Sequence, residues 1–216
     1  MIQLEVWGPY ALFTRGEMKV ERVSYDVLTT PSAARGIVES LYYHPGIRWH
    51  IRRIYVLNPI EFTTIRRNEV KSKILGGTAM RIAQGKEDEP YLVTTKQIVQ
   101  RASMVLTNVH YVIEAEFEML PEKAASGDNP GKFQDIVTRR MRKGQCFPPP
   151  YFGCREFPAH FKQWEGGPIP TIDETRDLGF MLYDFDYSDP QNITPLYFRA
   201  KMEHGVIQVA GCEVFR

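Results

Sequence analysis

Apolar residues alternate at the start of the chain. Ile2, Leu4 and Val6 face one way and Gln3, Glu5 and Trp7 the other, the period of a half-buried strand. After a stretch read as loop, with a short extended run near Val20 to Tyr25, the period changes. Ala34, Ile37, Val38 and Leu41 recur at helical spacing, Thr30 is placed as an N-cap, and Pro31 suits a first helical position. This helix must stop before Pro45, because a residue ahead of proline is pushed out of the helical region.

Residues 48–64 form a second extended run rich in Ile, Tyr, Val and Thr. From about 66 to 100 the periodicity fails, and the charged, Gly-containing segment predicts a mobile insertion. The clearest alternation follows at about 103–117: Val105, Thr107, Val109, Tyr111, Ile113, Ala115 and Phe117 share one face, with Asn108, His110, Glu114 and Glu116 on the other. A second helix is capped by Asn129 with Pro130 at its first position. Phe133, Ile136, Val137 and Met141 face inward, and Gly144 closes it. "PPPYFGCREF" then predicts another strand, and three β-like runs follow at 178–187, 194–202 and 205–210. The order strand, helix, strand, strand, helix, strand predicts an α+β fold with a ferredoxin-like split βαβ domain, the arrangement of RNA-recognition modules. The expected boundaries are residues 1–165 for that domain and 166–216 for an appended small antiparallel sheet.

Composition narrows the class. Among 216 residues, 43% are hydrophobic, enough for a sizeable core, and 27 basic against 26 acidic residues leave a net charge of +1. A uniformly basic protein is excluded, while local basic stripes are not. No run approaches the ~18 apolar residues of a membrane span, and "MIQLEVWGPY" lacks a signal pattern, so a cytoplasmic location is expected. Cys146, Cys154 and Cys212 fit neither a disulfide framework nor a zinc site. No HExxH, GxSxG or GxGxxG motif is present, and "GDNPGK" has the wrong spacing for a phosphate loop. The scattered acids suggest no two-metal site, so neither metal nor cofactor is expected.

The chemistry gathers at "ESLYYHPGIRWHIRR", where two phenols, two histidines and three arginines surround one turn, with Glu39 the acid in that stretch. Arg48, Arg52, Arg53, Arg66, Arg67, Lys71 and, later, Arg101 form a basic set interleaved with Tyr42, Tyr43, Trp49 and Tyr55. Guanidiniums beside aromatic faces are how unpaired bases and phosphates of RNA are held. Arg139, Arg140, Arg142 and Lys143 make a second basic group near the end of the second helix, where cations suit the dipole. Histidine is the side chain suited to proton transfer at neutral pH. His44 lies at the helix-ending turn, and His110 lies opposite the apolar row of its strand.

"GPYALFTRGE", "PSAARGIVESLYYHPGIRWHIRRIYVLNPI", "RRNEV", "QRASMVLTNVHYVIEAEF" and "YFGCREF", taken in order, resemble the Cas protein five family of CRISPR systems in its type I-C form. The resemblance implies an endoribonuclease that cuts precursor CRISPR RNA next to the repeat hairpin and remains on the 5′ handle within a surveillance complex of other subunits. It also leaves contact with DNA open. The implied cut needs no metal: a base deprotonates the 2′-hydroxyl, which attacks the adjacent phosphate, and an acid protonates the leaving 5′-oxygen. The family's helix-end tyrosine falls on Tyr42, with His110 and His44 as the imidazoles expected to assist. At Thr107-Asn108 the chain departs from the basic residues the pattern carries there, which makes a non-catalytic RNA-binding subunit the alternative.

Overall fold

A computed structural model describes every residue except 19, 29, 74 and 87–90. The alternating segments become β1 (Ile2–Ala11), β2 (Ile47–Val56), β3 (Glu61–Val70) and β4 (Ile98–Met119). Helix α1 (Pro31–Leu41) follows β1, the short helices α2 (Gly76–Ala83) and α3 (Thr94–Gln97) lie between β3 and β4, and α4 (Pro130–Lys143) follows β4. The remaining strands are β5 (His160–Gln163), β6 (Arg176–Asp186), β7 (Thr194–Glu203), β8 (Val206–Gln208) and β9 (Val214–Phe215). The chain forms two compact units, residues 1–63 with 104–216 and residues 64–103.

In the first unit β4 runs antiparallel between β1 and β2, and β5 pairs with the outer side of β1. Each helical crossover therefore joins two strands that have a third between them. The protein is a mixed α/β fold around a large antiparallel sheet of order β5-β1-β4-β2-β8-β7-β6. The C-terminal strands β6, β7 and β8 are antiparallel to one another, and β8 pairs with β2, at Ile54 opposite Ile207, which carries β7 and β6 into the same hydrogen-bonded array.

One sheet face is apolar. Leu4, Ile113 and Ile54 are fully buried, with Val6 and Tyr111 beside them. Helices α1 and α4 cover this face, burying Ala34, Ile37, Val38 and Leu41 from one and Phe133, Val137 and Met141 from the other. Each of these side chains larger than alanine contributes about 1.5–3 kcal/mol relative to exposure. Asn129 caps α4 by accepting from the Lys132 N–H at 2.9 Å, and Gly144 ends it in the left-handed region at φ 62°. A bulge between Ile51 and Arg53 explains how consecutive Arg52 and Arg53 both face outward while Ile51 and Ile54 are buried.

The expected strand at "PPPYFGCREF" is a tight loop, and β5 begins only at His160. Within the loop the Phe152 N–H donates to the Phe157 carbonyl at 2.8 Å. Gly153, at φ 78°, lies so close to Leu12 that a Cβ would stand 1.9 Å from its carbonyl oxygen.

The second unit, which covers the segment read from sequence as a charged, mobile insertion, contains most of β3, the two short helices and the start of β4. Here β3 pairs with β4, and the Lys71 N–H donates to the Gln97 carbonyl at 2.8 Å. The β3 side chains are exposed or half-exposed throughout, so no buried face produced the alternation that marks a strand.

Candidate active site

Helix α1 ends at Tyr42, whose backbone turns extended (φ −151°, ψ 113°) while its N–H still reaches the Val38 carbonyl. Orphan carbonyls at this end have side-chain donors: Arg140 Nη1 donates to Leu41 at 2.5 Å and Trp49 Nε1 to Tyr42 at 2.9 Å. The turn thereby holds the Tyr42 ring between the helices, 6.0 Å from Phe133 and 6.4 Å from His44, with the Arg140 guanidinium 5.4 Å from its centroid.

His44 Nδ1 accepts the Gly46 N–H at 3.0 Å, which leaves Nε2 to carry the proton of the neutral ring. Nε2 lies 3.8 Å from Asp128, just ahead of α4. Asp128 also accepts from Lys132 Nζ and from the Ala125 N–H, each at 2.8 Å. The hydrogen bond from Lys132 holds the Asp128 carboxyl below its usual range, and the same bond raises the Lys132 ammonium. Burial pushes the Tyr42 phenol up, opposed by the nearby Lys132 charge. Tyr42 therefore stays a neutral O–H and Lys132 a cation at neutral pH. Lys132 donates to the pinned carboxylate and the His44 Nε2–H faces it, with the Tyr42 ring stacked 6.4 Å from that of His44, so three donors gather at one corner. Such an array can stabilise a developing phosphate charge and deliver a proton.

Sequence reasoning did not select Lys132 or Asp128. Both lie in "GDNPGK", read from sequence as a helix start with the wrong spacing for a phosphate loop. The visible signal was an aspartate four residues ahead of a lysine at the Asn-Pro helix start, which places Asp128 and Lys132 one helical turn apart.

His110 lies elsewhere. Its strand partner is Trp7, and its Nε2 is 2.8 Å from Glu5 on the face opposite the helices. Tyr42 connects through Phe133 to Phe117 on the helix-covered face. Residues 110 and 117 stand about 23 Å apart at about 3.3 Å per residue. The structure thus brings Tyr42 and His44 together and leaves His110 apart. Thr107 and Asn108 belong to the His110 end of β4.

The β2 cations meet acids that the sequence did not show as neighbours. Arg48 pairs with Glu118 at 3.3 Å, Arg52 with Glu116 at 3.2 Å and Arg53 with Glu114 at 2.8 Å, and His50 lies 3.3 Å from Glu118. The outward residues of β4 form a carboxylate ladder across from the basic row. Glu114, 2% exposed, also accepts from Tyr55 and Gln3. In the second unit Arg66, Arg67, Lys71 and Arg101 are exposed, with Arg101 3.8 Å from Glu69. Among the described residues no group of three or more His, Cys, Asp or Glu side chains is placed to hold a metal ion, and no helix is long and apolar enough to cross a membrane.

Comparison with known proteins agrees with the resemblance read from sequence. The chain is 46% identical over 215 residues to a protein of Mannheimia succiniciproducens named CRISPR pre-crRNA endoribonuclease Cas5d, covering 96% of this chain and 94% of the relative. A Thermus thermophilus protein of the same name is 35% identical over 225 residues, covering 96% and 90%. A solved structure of a CRISPR-associated protein superposes with a TM-score of 0.69 at 22% identity, covering 100% of this chain and 96% of the other, a likeness of fold. The family profile described as "CRISPR-associated protein (Cas_Cas5)", in its Cas5d form, matches residues 1–210. The chain belongs to the CRISPR-associated Cas5 family, in the Cas5d form.

Proposed function

We propose that this protein is an endoribonuclease that cuts precursor CRISPR RNA next to the repeat hairpin, then holds the 5′ handle among the other subunits of a type I-C surveillance complex. The names of its two relatives support the activity. The observation that carries the site is the donor cluster of Tyr42, His44 and Lys132 around Asp128. The strand order β5-β1-β4-β2, with α1 and α4 as crossovers, supports the ferredoxin-like split βαβ description.

The RNA supplies its own nucleophile. The 2′-hydroxyl oxygen bonds to the adjacent phosphorus, the bond to the 5′-oxygen breaks, and a 2′,3′-cyclic phosphate and a 5′-hydroxyl result. Lys132, kept cationic by Asp128, faces the extra negative charge on the phosphate, and the Tyr42 O–H and His44 Nε2–H donate to it. A water molecule takes the 2′-hydroxyl proton, and the Tyr42 O–H gives its own to the leaving 5′-oxygen, the phenolate then regaining a proton from solvent. Because the His44 Nδ1 lone pair is occupied by the Gly46 N–H, His44 acts as donor rather than base. The exposed Arg66, Arg67, Lys71 and Arg101 provide phosphate contacts. Arg48, Arg52 and Arg53 do so by exchanging a glutamate for a phosphate.

The deciding experiment incubates purified protein with labelled repeat RNA in excess EDTA, beside a copy carrying 2′-deoxyribose at the cut site. Cleavage of the first alone is the expected result. Cleavage of the deoxy copy, or a requirement for added metal, overturns the mechanism.

A further inference from the structure

On the open face of the sheet, three rings stand in one cross-strand row. Trp7 on β1 is directly opposite His110 on β4 and His160 on β5. The Trp7 centroid is 6.1 Å from His110 in an edge arrangement and 5.8 Å from His160 in a stacked one. Lys162 Nζ lies 5.7 Å from the indole centroid. These groups line a pocket of about 410 Å3 together with Asn58 and Asn108, within the size range of small-ligand sites.

Two features show that the row is held in place. Glu5, 6% exposed, accepts from His110 at 2.8 Å and faces Lys162 at 3.3 Å, so the carboxylate is neutralised and fixes both partners. Asn108 sits at φ 48°, inside a strand, and its carbonyl accepts from Asn58 Nδ2 at 2.8 Å. A non-glycine residue in the left-handed region costs free energy, and such residues gather at ligand sites.

We propose that this pocket binds one unpaired nucleotide of the RNA, at a position separate from the Tyr42 cluster. The base stacks on the Trp7–His160 surface, the Asn108 carboxamide meets its hydrogen-bonding edge, and Lys162 faces its phosphate. Indole and imidazole platforms with a neighbouring cation and carboxamide are how unpaired bases are held, because every base has a π-face. An acidic peptide would find the Glu5 carboxylate beneath the cation, whereas a base needs no net positive charge. The proposal rests on the reading of the protein as an RNA-binding nuclease.

The test is the affinity of the full-length protein for a repeat RNA made uncleavable by 2′-deoxy substitution at the cut site. Trp7→Ala is expected to weaken binding about tenfold or more, and Trp7→Phe to restore most of it. A second readout covers the case in which Trp7→Ala fails to fold. RNA is expected to quench the fluorescence of a Trp164→Phe protein, and Trp7→Phe added to that background to lose the quenching, since the remaining Trp49 is buried at 3% exposure. Wild-type affinity in a folded Trp7→Ala protein, or quenching unchanged on adding Trp7→Phe, overturns the pocket and leaves the row to a protein partner. Failure of the wild type to bind any repeat RNA overturns the proposed function as well.

Discussion

Two sets of cations on this protein look alike in the sequence and differ in the structure. Arg48, Arg52 and Arg53 on β2 each face a glutamate across the strand pair. Lys132 also has a carboxylate partner, but Asp128 is held by the Ala125 N–H, faces His44, and has the Tyr42 phenol nearby. Along the ladder each arginine has its own carboxylate, with Tyr55, Gln3 and His50 as further neighbours of Glu114 and Glu118. At the corner of α1 and α4, one acid anchors a convergence of chemically different donors. Counting positive charges selected the first region. Asking what each charge already holds selects the second.

The sharpest way to break this comparison is single-turnover cleavage of repeat RNA by Tyr42→Phe and Lys132→Ala. Each is expected to cut about 10²–10⁴-fold more slowly, as befits a lost proton donor or charge donor. The double variant should be little worse than either alone if they act as a unit. Wild-type rates in both would return the cluster to a packing role.

A smaller effect is expected from Asp128→Asn, which keeps the shape and removes the charge that fixes Lys132. Cleavage should fall roughly tenfold, since a displaced catalytic group loses part of its effective concentration. In the wild type the Asp128 carboxyl titrates below its ordinary value. Its support is therefore present above about pH 4 and fades as pH falls through the lower folded value. Identical acid limbs in the cleavage profiles of wild type and Asp128→Asn would contradict this.

Alkaline unfolding separates a working phenol from a structural one. Tyr111 is buried with its phenol pushed well above the ordinary value. An unfolded tyrosine ionises near pH 10, so stability should decline as pH rises past that point, by up to about 1.4 kcal/mol per pH unit for each such group. Tyr111→Phe should flatten the decline in melting temperature between pH 10 and 11. An unaltered slope would show that Tyr111 is not the group responsible.

The smallest effect belongs to the ladder. A double-mutant cycle on Arg52 and Glu116 should give about 0.2–1 kcal/mol of coupling, because the pair is partly exposed. Arg52→Ala should lower the log–log salt slope of RNA binding by less than the ~0.7 expected for a full phosphate contact. A full decrement would mean that RNA displaces the glutamate, and would narrow the difference between the two regions.

The elements around the core were legible because burial imposes period. Ile2, Leu4 and Val6, the inward row of β4, and the capped α4 all read correctly from spacing. Where nothing is buried the signal vanishes, as along β3, whose ten residues were read partly as an insertion. The candidate site was half legible. Tyr42 and His44 share a turn in the chain, whereas Lys132 and Asp128 join them only through packing of α1 against α4. That His110 lies apart from them was hidden for a related reason. Alternation shows that a residue faces outward, but it does not show which other outward residues share its surroundings. The acids facing β2 were likewise plain as residues and invisible as partners until the register was known.

The pairing of β8 with β2 has a kinetic meaning. The edge of β2 at Arg53 is closed by Gln208, so a strand formed in the first quarter of the chain waits for one near residue 208. Closing so long a loop is slow, because its entropy is lost before the pairing returns any stability. Meanwhile β2 presents unpaired backbone groups beside Ile54 and Val56, a template for another chain. Its outward arginines then serve during synthesis as gatekeepers: like charges on two exposed edges repel before either strand has found its own partner.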